Sequence, residues 1–237
     1  FLEHLDELRQ RLIRALVGVL VGFVAAIAFI EQIFDFIMKP LAAILPAGGK
    51  LIYTEPTEAF MLYMKMAALA GLLLAMPYLM WQVWAFVAPG LYAHEKRFAI
   101  PFVMMSSIFF TLGCAFSHYV AFPAAWNFFG SFADDTVQFA PRIEPVFSLY
   151  VRMALGLGLV FEMPTLVMFL ARVGLVTPKF LLKHTKYAIL LIFVVAAIVT
   201  PGSDPLSLFL VAMPMIGLYG VSIGVAWLFK KRARTDP

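Results

Sequence analysis

Six long apolar runs dominate the sequence and limit what it can fold into. A helix that crosses the hydrocarbon core of a bilayer needs about 20 predominantly apolar residues. With 63% hydrophobic and 14% charged residues, the 237-residue chain has too little polar surface for a water-soluble domain. We therefore expect an all-α integral membrane protein, a single domain over residues 1–237, whose six transmembrane helices cover residues 13–30, 60–84, 98–122, 146–171, 187–200 and 206–229.

The fifth run is short, because only 14 residues, or about 21 Å of helix, separate Lys186 from Pro201. The distribution of positive charge nevertheless favours counting it as a span. If all six runs cross, 13 of the 18 Lys and Arg residues lie at the two termini and in the even-numbered loops, and 3 lie in the odd-numbered loops. This asymmetry predicts that both termini are cytoplasmic. The first outer loop, about residues 31–57, is expected to be rich in turns because it contains Pro40, Pro46 and Gly48.

Motifs of enzymes and cofactor sites are missing from the sequence. The segment PAGGKL, which ends at Leu51, resembles the end of a phosphate loop but lacks its first glycine and its Ser or Thr. The four histidines show no metal-ligand spacing, and neither H-E-x-x-H nor G-x-S-x-G occurs. We expect no enzymatic activity, no cofactor or metal, and no nucleic-acid binding.

The segment HLDELRQRL, directly before the first span, is amphipathic as a helix. Leu5, Leu8 and Leu12 share one stripe, and Glu7 stands four residues before Arg11. One interpretation is an interfacial helix with a weak Glu7–Arg11 ion pair. The other is that Glu7 faces a groove and binds a cation from outside the chain.

The second inner loop offers a second carboxylate in the stretch WQVWAFVAPGLYAHEKR. Glu95 is either a first-turn acid favoured by the helix dipole or a second acceptor on the same side of the membrane as Glu7. Two carboxylates on one face could each hold a guanidinium through paired hydrogen bonds, which a lysine ammonium cannot reproduce.

Glu162 lies deep in the fourth span, two residues before Pro164. A charged carboxylate at that depth costs several kcal/mol, so we expect it to be protonated or hydrogen-bonded in a water-filled cavity. It is either a structural partner of a kinked helix or a functional acid, and the second option allows a proton-coupled secondary transporter as an alternative function. Lys65 and Arg152, the two cations inside spans, are expected to extend to the outer interface.

Taken in order, the segments HLDELRQRL, KPLAAILP, PYLMWQVWAFVAPGLYAHEKR, FEMP and TPGSDP closely resemble the TatC family of twin-arginine translocases, over nearly the whole chain. The resemblance implies a concave, glove-like bundle in the cell inner membrane. It also implies a receptor that binds signal peptides carrying two consecutive arginines, self-associates, and exports folded proteins with single-span TatB- and TatA-type partners, driven by the proton-motive force.

The resemblance also implies roles for individual residues. Glu7 and Glu95 match the two carboxylates that receive the arginine pair, and Arg9 and Phe86 match further positions of signal-peptide binding. Pro40, Glu162 and Asp204 match positions of functional or structural importance, with Glu162 on the concave intramembrane face. One position departs from the family pattern, since Leu208 stands where a Gln usually follows the Asp.

Overall fold

The computed structural model describes residues 2–42, 51–87, 99–132, 140–200 and 205–229. These residues form helices and no strand, and one isolated bridge joins Ile52 to Arg142. The helices are α1 (Leu2–Ile27), α2 (Ile30–Ala42), α3 (Glu58–Val87), α4 (Ala99–Phe116), a π-helix (Ser117–Ala121), α5 (Phe122–Gly130), α6 (Ile143–Phe161), α7 (Met163–Val173), α8 (Pro178–Lys183), α9 (Thr185–Val199) and α10 (Pro205–Phe229).

Five helical segments in the described part of the chain are long and apolar enough to cross a membrane: Leu5–Ile27, Glu58–Phe86, Ile100–Gly130, Ile143–Val173 and Val211–Phe229. They correspond to the predicted spans one to four and six, and most of them extend beyond the predicted limits. The fifth predicted span is the apolar helix α9, whose 15 residues rise about 22 Å. That length is short of the roughly 30 Å hydrocarbon core.

The prediction of a turn-rich first outer loop is wrong for residues 30–42, which form helix α2. An apolar face explains the helix, because Ile33, Phe34 and Ile37 pack against the hydrophobic core. Pro40 lies near the end of α2, where its ring disturbs only the last turn. Residues 43–50 of the same loop lie outside the described residues.

Helices α1 and α3 are antiparallel and touch through glycine. A Cβ atom on Gly22 would lie 2.4 Å from the carbonyl oxygen of Gly71, and one on Gly18 would lie 2.6 Å from the ring of Tyr78. Only glycine allows two helix backbones to approach this closely, which is the usual way that helices associate in lipid. The opposite face of α1 is apolar and exposed, with Leu12, Leu16, Leu20 and Val24 pointing away from the protein.

The main core lies between α3, α6, α7, α9 and α10, where Met66, Phe147, Met153, Leu157 and Met215 are fully buried. Within the fourth long segment, the α-helix is interrupted at Glu162, between α6 and α7. Pro164 explains this interruption, because its ring leaves the carbonyl of Val160 without a helical partner. The kink predicted from Pro164 is therefore confirmed.

The glycine contact can be tested by replacing Gly22 with Ala. Overpacking of this kind costs about 1–3 kcal/mol, whereas replacing a helical glycine with alanine otherwise stabilises a helix by up to about 1 kcal/mol. We expect Gly22→Ala to lower the free energy of unfolding, measured by detergent titration in mixed micelles and followed by circular dichroism. Gly217→Ala is the matched control, because a Cβ there meets nothing within 4 Å. Equal stabilities of the two variants would contradict the close contact.

Candidate functional site

The first two turns of α1 carry a part-buried ion pair. The guanidinium of Arg11 donates two hydrogen bonds to Oε1 of Glu7, from Nε at 2.9 Å and from Nη2 at 2.6 Å. The predicted Glu7–Arg11 pair is thus confirmed, with both side chains mostly shielded from solvent. They line a shallow depression of about 330 Å³ together with Asp6, Gln10 and Arg14. This depression combines carboxylate and guanidinium groups, so it is a site for polar, charged ligands.

The α1–α3 contact places Phe86 near the height of Glu7. Gly22 opposes Gly71, and both helices rise 1.5 Å per residue in opposite directions. Fifteen residues further along each helix are Glu7 on α1 and Phe86 on α3, so the two lie about level at one end of the pair. Phe86 is half-buried in the last turn of α3. The structure thus brings two of the predicted site residues to the same end of the molecule.

Buried aromatic rings support the end of α3 next to Phe86. The ring of Trp84 packs on Phe102 of α4, with 5.2 Å between the centroids, and on Phe169 of α7, at 5.8 Å. Such packing of large rings from three helices fixes the position of the last turns of α3. The result is a rigid support at the end of the molecule where Glu7 lies.

Other predicted site residues lie elsewhere or outside the described residues. Arg9 is exposed on α1. Pro40 is at the opposite end of α1 from Glu7, since the 20 residues from Glu7 to Ile27 span about 30 Å and α2 follows there. Glu95 and Asp204 fall outside the described residues. Leu208, at the departure from the family pattern, packs against the main core.

Glu162 is buried at the junction of α6 and α7, with 6% of its surface exposed. Its Oε2 accepts a 2.5 Å hydrogen bond from the hydroxyl of Ser106 on α4. The hydroxyl of Ser106 also lies 3.1 Å from the sulfur of Met80 on α3. The expected hydrogen bond is therefore confirmed, and Oε1 of Glu162 has no partner among the described residues. A polar contact inside the bilayer thus joins α4 to the kink.

The opposite end of the molecule carries ion pairs that the sequence reasoning missed. Glu58 is buried and accepts hydrogen bonds from Arg142 and from the backbone N–H and hydroxyl of Thr54. Its carboxylate raises the pKa of Arg142 above the ordinary value, so that the guanidinium stays charged. Lys65 was expected only to extend to the interface, but its ammonium lies 2.9 Å from Glu144. The available signal was that Glu58 and Glu144 both stand at the start of an apolar helix.

Within the described residues, no three of the His, Cys, Asp and Glu side chains are close enough to hold a metal ion. The polar groups therefore act as hydrogen-bonding and ionic groups. Two settings result: a charged depression at the start of α1, and an isolated carboxyl within the membrane at Glu162.

Comparison with known proteins agrees over nearly the whole chain. The family model described as Sec-independent protein translocase protein (TatC) matches residues 3–214. Proteins named Sec-independent protein translocase protein TatC from Desulforapulum autotrophicum and Koribacter versatilis are each 43% identical to the chain. The matches cover 100% and 99% of this chain, respectively, and 87% of each relative. A crystal structure described as the twin arginine translocase receptor TatC superimposes with a TM-score of 0.82 at 32% identity, over 95% of this chain and 99% of that one.

The contact between Ser106 and Glu162 is tested by Ser106→Ala. This change removes the donor and leaves a buried carboxyl oxygen unpaired, which costs about 1–3 kcal/mol of unfolding free energy. Ser107→Ala is the matched control, because Ser107 donates only to the carbonyl of Val103 in its own helix. We expect a much smaller loss there, measured by the same detergent titration. In a Glu162→Ala background the cost of Ser106→Ala should shrink, and an unchanged cost would show that the two residues do not interact.

Proposed function

The chain belongs to the TatC family of Sec-independent protein translocases, and we propose that it is the subunit that binds twin-arginine signal peptides. Family membership and the five long apolar helices make it a multi-pass membrane protein of a protein-transport system. The family is one of transport proteins and not of enzymes.

The observation that carries the proposal is the position of Glu7. Its carboxylate lies part-buried where α1 begins and holds a guanidinium through both Nε and Nη2. That is the pattern by which a carboxylate recognises arginine, and a lysine ammonium has no such fork. An incoming arginine would share Glu7 with Arg11 or displace it.

We propose that Glu95 supplies the second carboxylate. It follows Phe86 by nine residues in the sequence, and Phe86 lies about level with Glu7. Two adjacent arginines of a signal peptide would then be held by one carboxylate each. Arg9 and Phe86 would complete the site, with Phe86 contacting the apolar part of the peptide.

The proposed topology is a single domain of six spans over residues 1–237, with both termini in the cytoplasm and the protein in the cell inner membrane. Its support is the 13-to-3 distribution of positive charges between the two sides. In this arrangement α9 is the fifth span, and its short length would thin the bilayer locally.

The remaining roles follow from the same proposal. The apolar part of the signal peptide would lie along a concave face of the bundle that includes Glu162. Pro40 and Asp204 would shape the outer side, and TatB- and TatA-type single-span proteins and further copies of this chain would assemble around it. The proton-motive force would drive export.

The proposal is tested by peptide binding to the purified protein in nanodiscs. We expect an Arg-Arg signal peptide to bind at least about tenfold more tightly than its Lys-Lys counterpart, because each lost bidentate contact costs more than about 1 kcal/mol. Glu7→Gln combined with Glu95→Gln should abolish this difference, as measured by fluorescence anisotropy.

Glu31→Gln is the control for the change in net charge, because Glu31 lies exposed in the first turn of α2. Equal binding of both peptides to both proteins would refute the receptor proposal. Proton-driven uptake of a small solute by the purified protein alone, lost in Glu162→Gln, would instead support the secondary transporter.

The topology is tested by labelling single cysteines in a Cys114→Ala background with a membrane-impermeant maleimide. In intact spheroplasts we expect Tyr53→Cys and Ser203→Cys to react, and Lys179→Cys to react only after permeabilisation. Reaction of Ser203→Cys from the same side as Lys179→Cys would show that α9 does not cross the membrane.

A further inference from the structure

A groove of about 410 Å³ opens between α3 and α6, away from Glu7 and Glu162. Its walls are formed by one face of each helix, with Lys65, Ala68, Leu69 and Leu72 on α3 and Phe147, Ser148, Val151, Arg152 and Leu155 on α6. The volume is in the range of about 300–1,000 Å³ that is usual for small-molecule sites.

The groove is polar at one end and apolar at the other. Glu58 and Arg142, at the starts of α3 and α6, are hydrogen-bonded, so the two helices begin at the same end of the molecule. Lys65 and Ser148 lie nearest that end, and Arg152 lies about one turn further along. Leu69, Leu72 and Leu155 follow, so the lining changes from charged to apolar toward the middle of the bundle.

The charges at the polar end leave one cation without a counterion. Glu144 pairs with Lys65 at 2.9 Å and also accepts a hydrogen bond from Ser148. Arg152 is exposed in the groove, and no carboxylate of the described residues is within ion-pair distance of it. A guanidinium within a membrane span is costly unless an anion accompanies it. The groove thus has a net positive charge next to an apolar surface.

We propose that this groove binds an anionic phospholipid, with the phosphate between Arg152 and Lys65 and the acyl chains along the leucine-lined part. Arginine binds phosphate oxygens with two parallel hydrogen bonds, and basic pockets between transmembrane helices are known sites for lipid headgroups. The order of polar and apolar side chains follows the order of headgroup and chains in a lipid. The site is separate from the proposed signal-peptide site.

The length of the groove favours a lipid over a partner helix. From Lys65 to Leu72 and from Phe147 to Leu155 the lining rises only about 10–12 Å. A transmembrane helix crosses about 30 Å and would need a matching surface over most of that distance. A phosphate with the upper part of its acyl chains fits the shorter length.

The test is lipid retention by the purified protein, measured by native mass spectrometry after incubation with equal amounts of phosphatidylglycerol and phosphatidylcholine. We expect the wild type to retain the anionic lipid several-fold more than the zwitterionic one. Arg152→Gln should reduce retention of phosphatidylglycerol at least about fivefold, and Arg152→Lys should reduce it less. Lys179→Gln is the charge-matched control on α8 and should leave retention unchanged.

A second variant keeps the charge and fills the groove, in case Arg152→Gln does not fold. Ala68→Trp should also reduce retention, whereas Ala197→Trp, on the exposed face of α9, should not. Equal retention of the two lipids by the wild type, or equal retention of phosphatidylglycerol by the wild type and a folded groove variant, would overturn the proposal. Binding of a carboxylate-bearing transmembrane peptide that needs Arg152, with lipid retention unaffected by Arg152→Gln, would assign the groove to a partner helix instead.

Discussion

The structure depends on one condition imposed by hydrocarbon, which is that a polar group inside the bilayer must find its partner within the protein. Glu162 meets this condition through Ser106, and Lys65 meets it through Glu144. In both cases the partner is on another helix, so each polar contact also fixes how two helices lie against each other. Arg152 is the exception among these groups, and its uncompensated charge makes the groove beside it the natural place for an anion.

The close approach of α1 and α3 has its consequence far from the point of contact. Gly22 and Gly71 fix the register of two antiparallel helices, and this register places Glu7 about level with Phe86. The carboxylate and the aromatic ring thus owe their relative position to two residues without side chains, 15 residues away along each helix. A receptor site at the edge of the membrane is in this way determined by packing in its interior.

Features that depend on local sequence could be predicted, and those that depend on distant pairing could not. Apolar runs gave the number and approximate limits of the long helices, and the four-residue spacing gave the Glu7–Arg11 pair. Pro164 gave the kink. Ser106, in contrast, is 56 residues from Glu162, and nothing in either segment identifies the other. Helix α2 was missed because prolines and glycines around it outweighed its apolar face, and that face is stabilised only by the tertiary core.

The π-helix at Ser117–Ala121 shows how one residue can set the orientation of a whole helical segment. A π turn accommodates one more residue than an α turn, so the helix that follows is rotated by about 100° relative to an uninterrupted one. With this rotation Phe122 and Trp126 of α5 are buried in the core. A relative lacking a single residue in this turn would direct the same two rings toward a different neighbour, so insertions and deletions at this point alter side-chain facing without changing the length of the span appreciably.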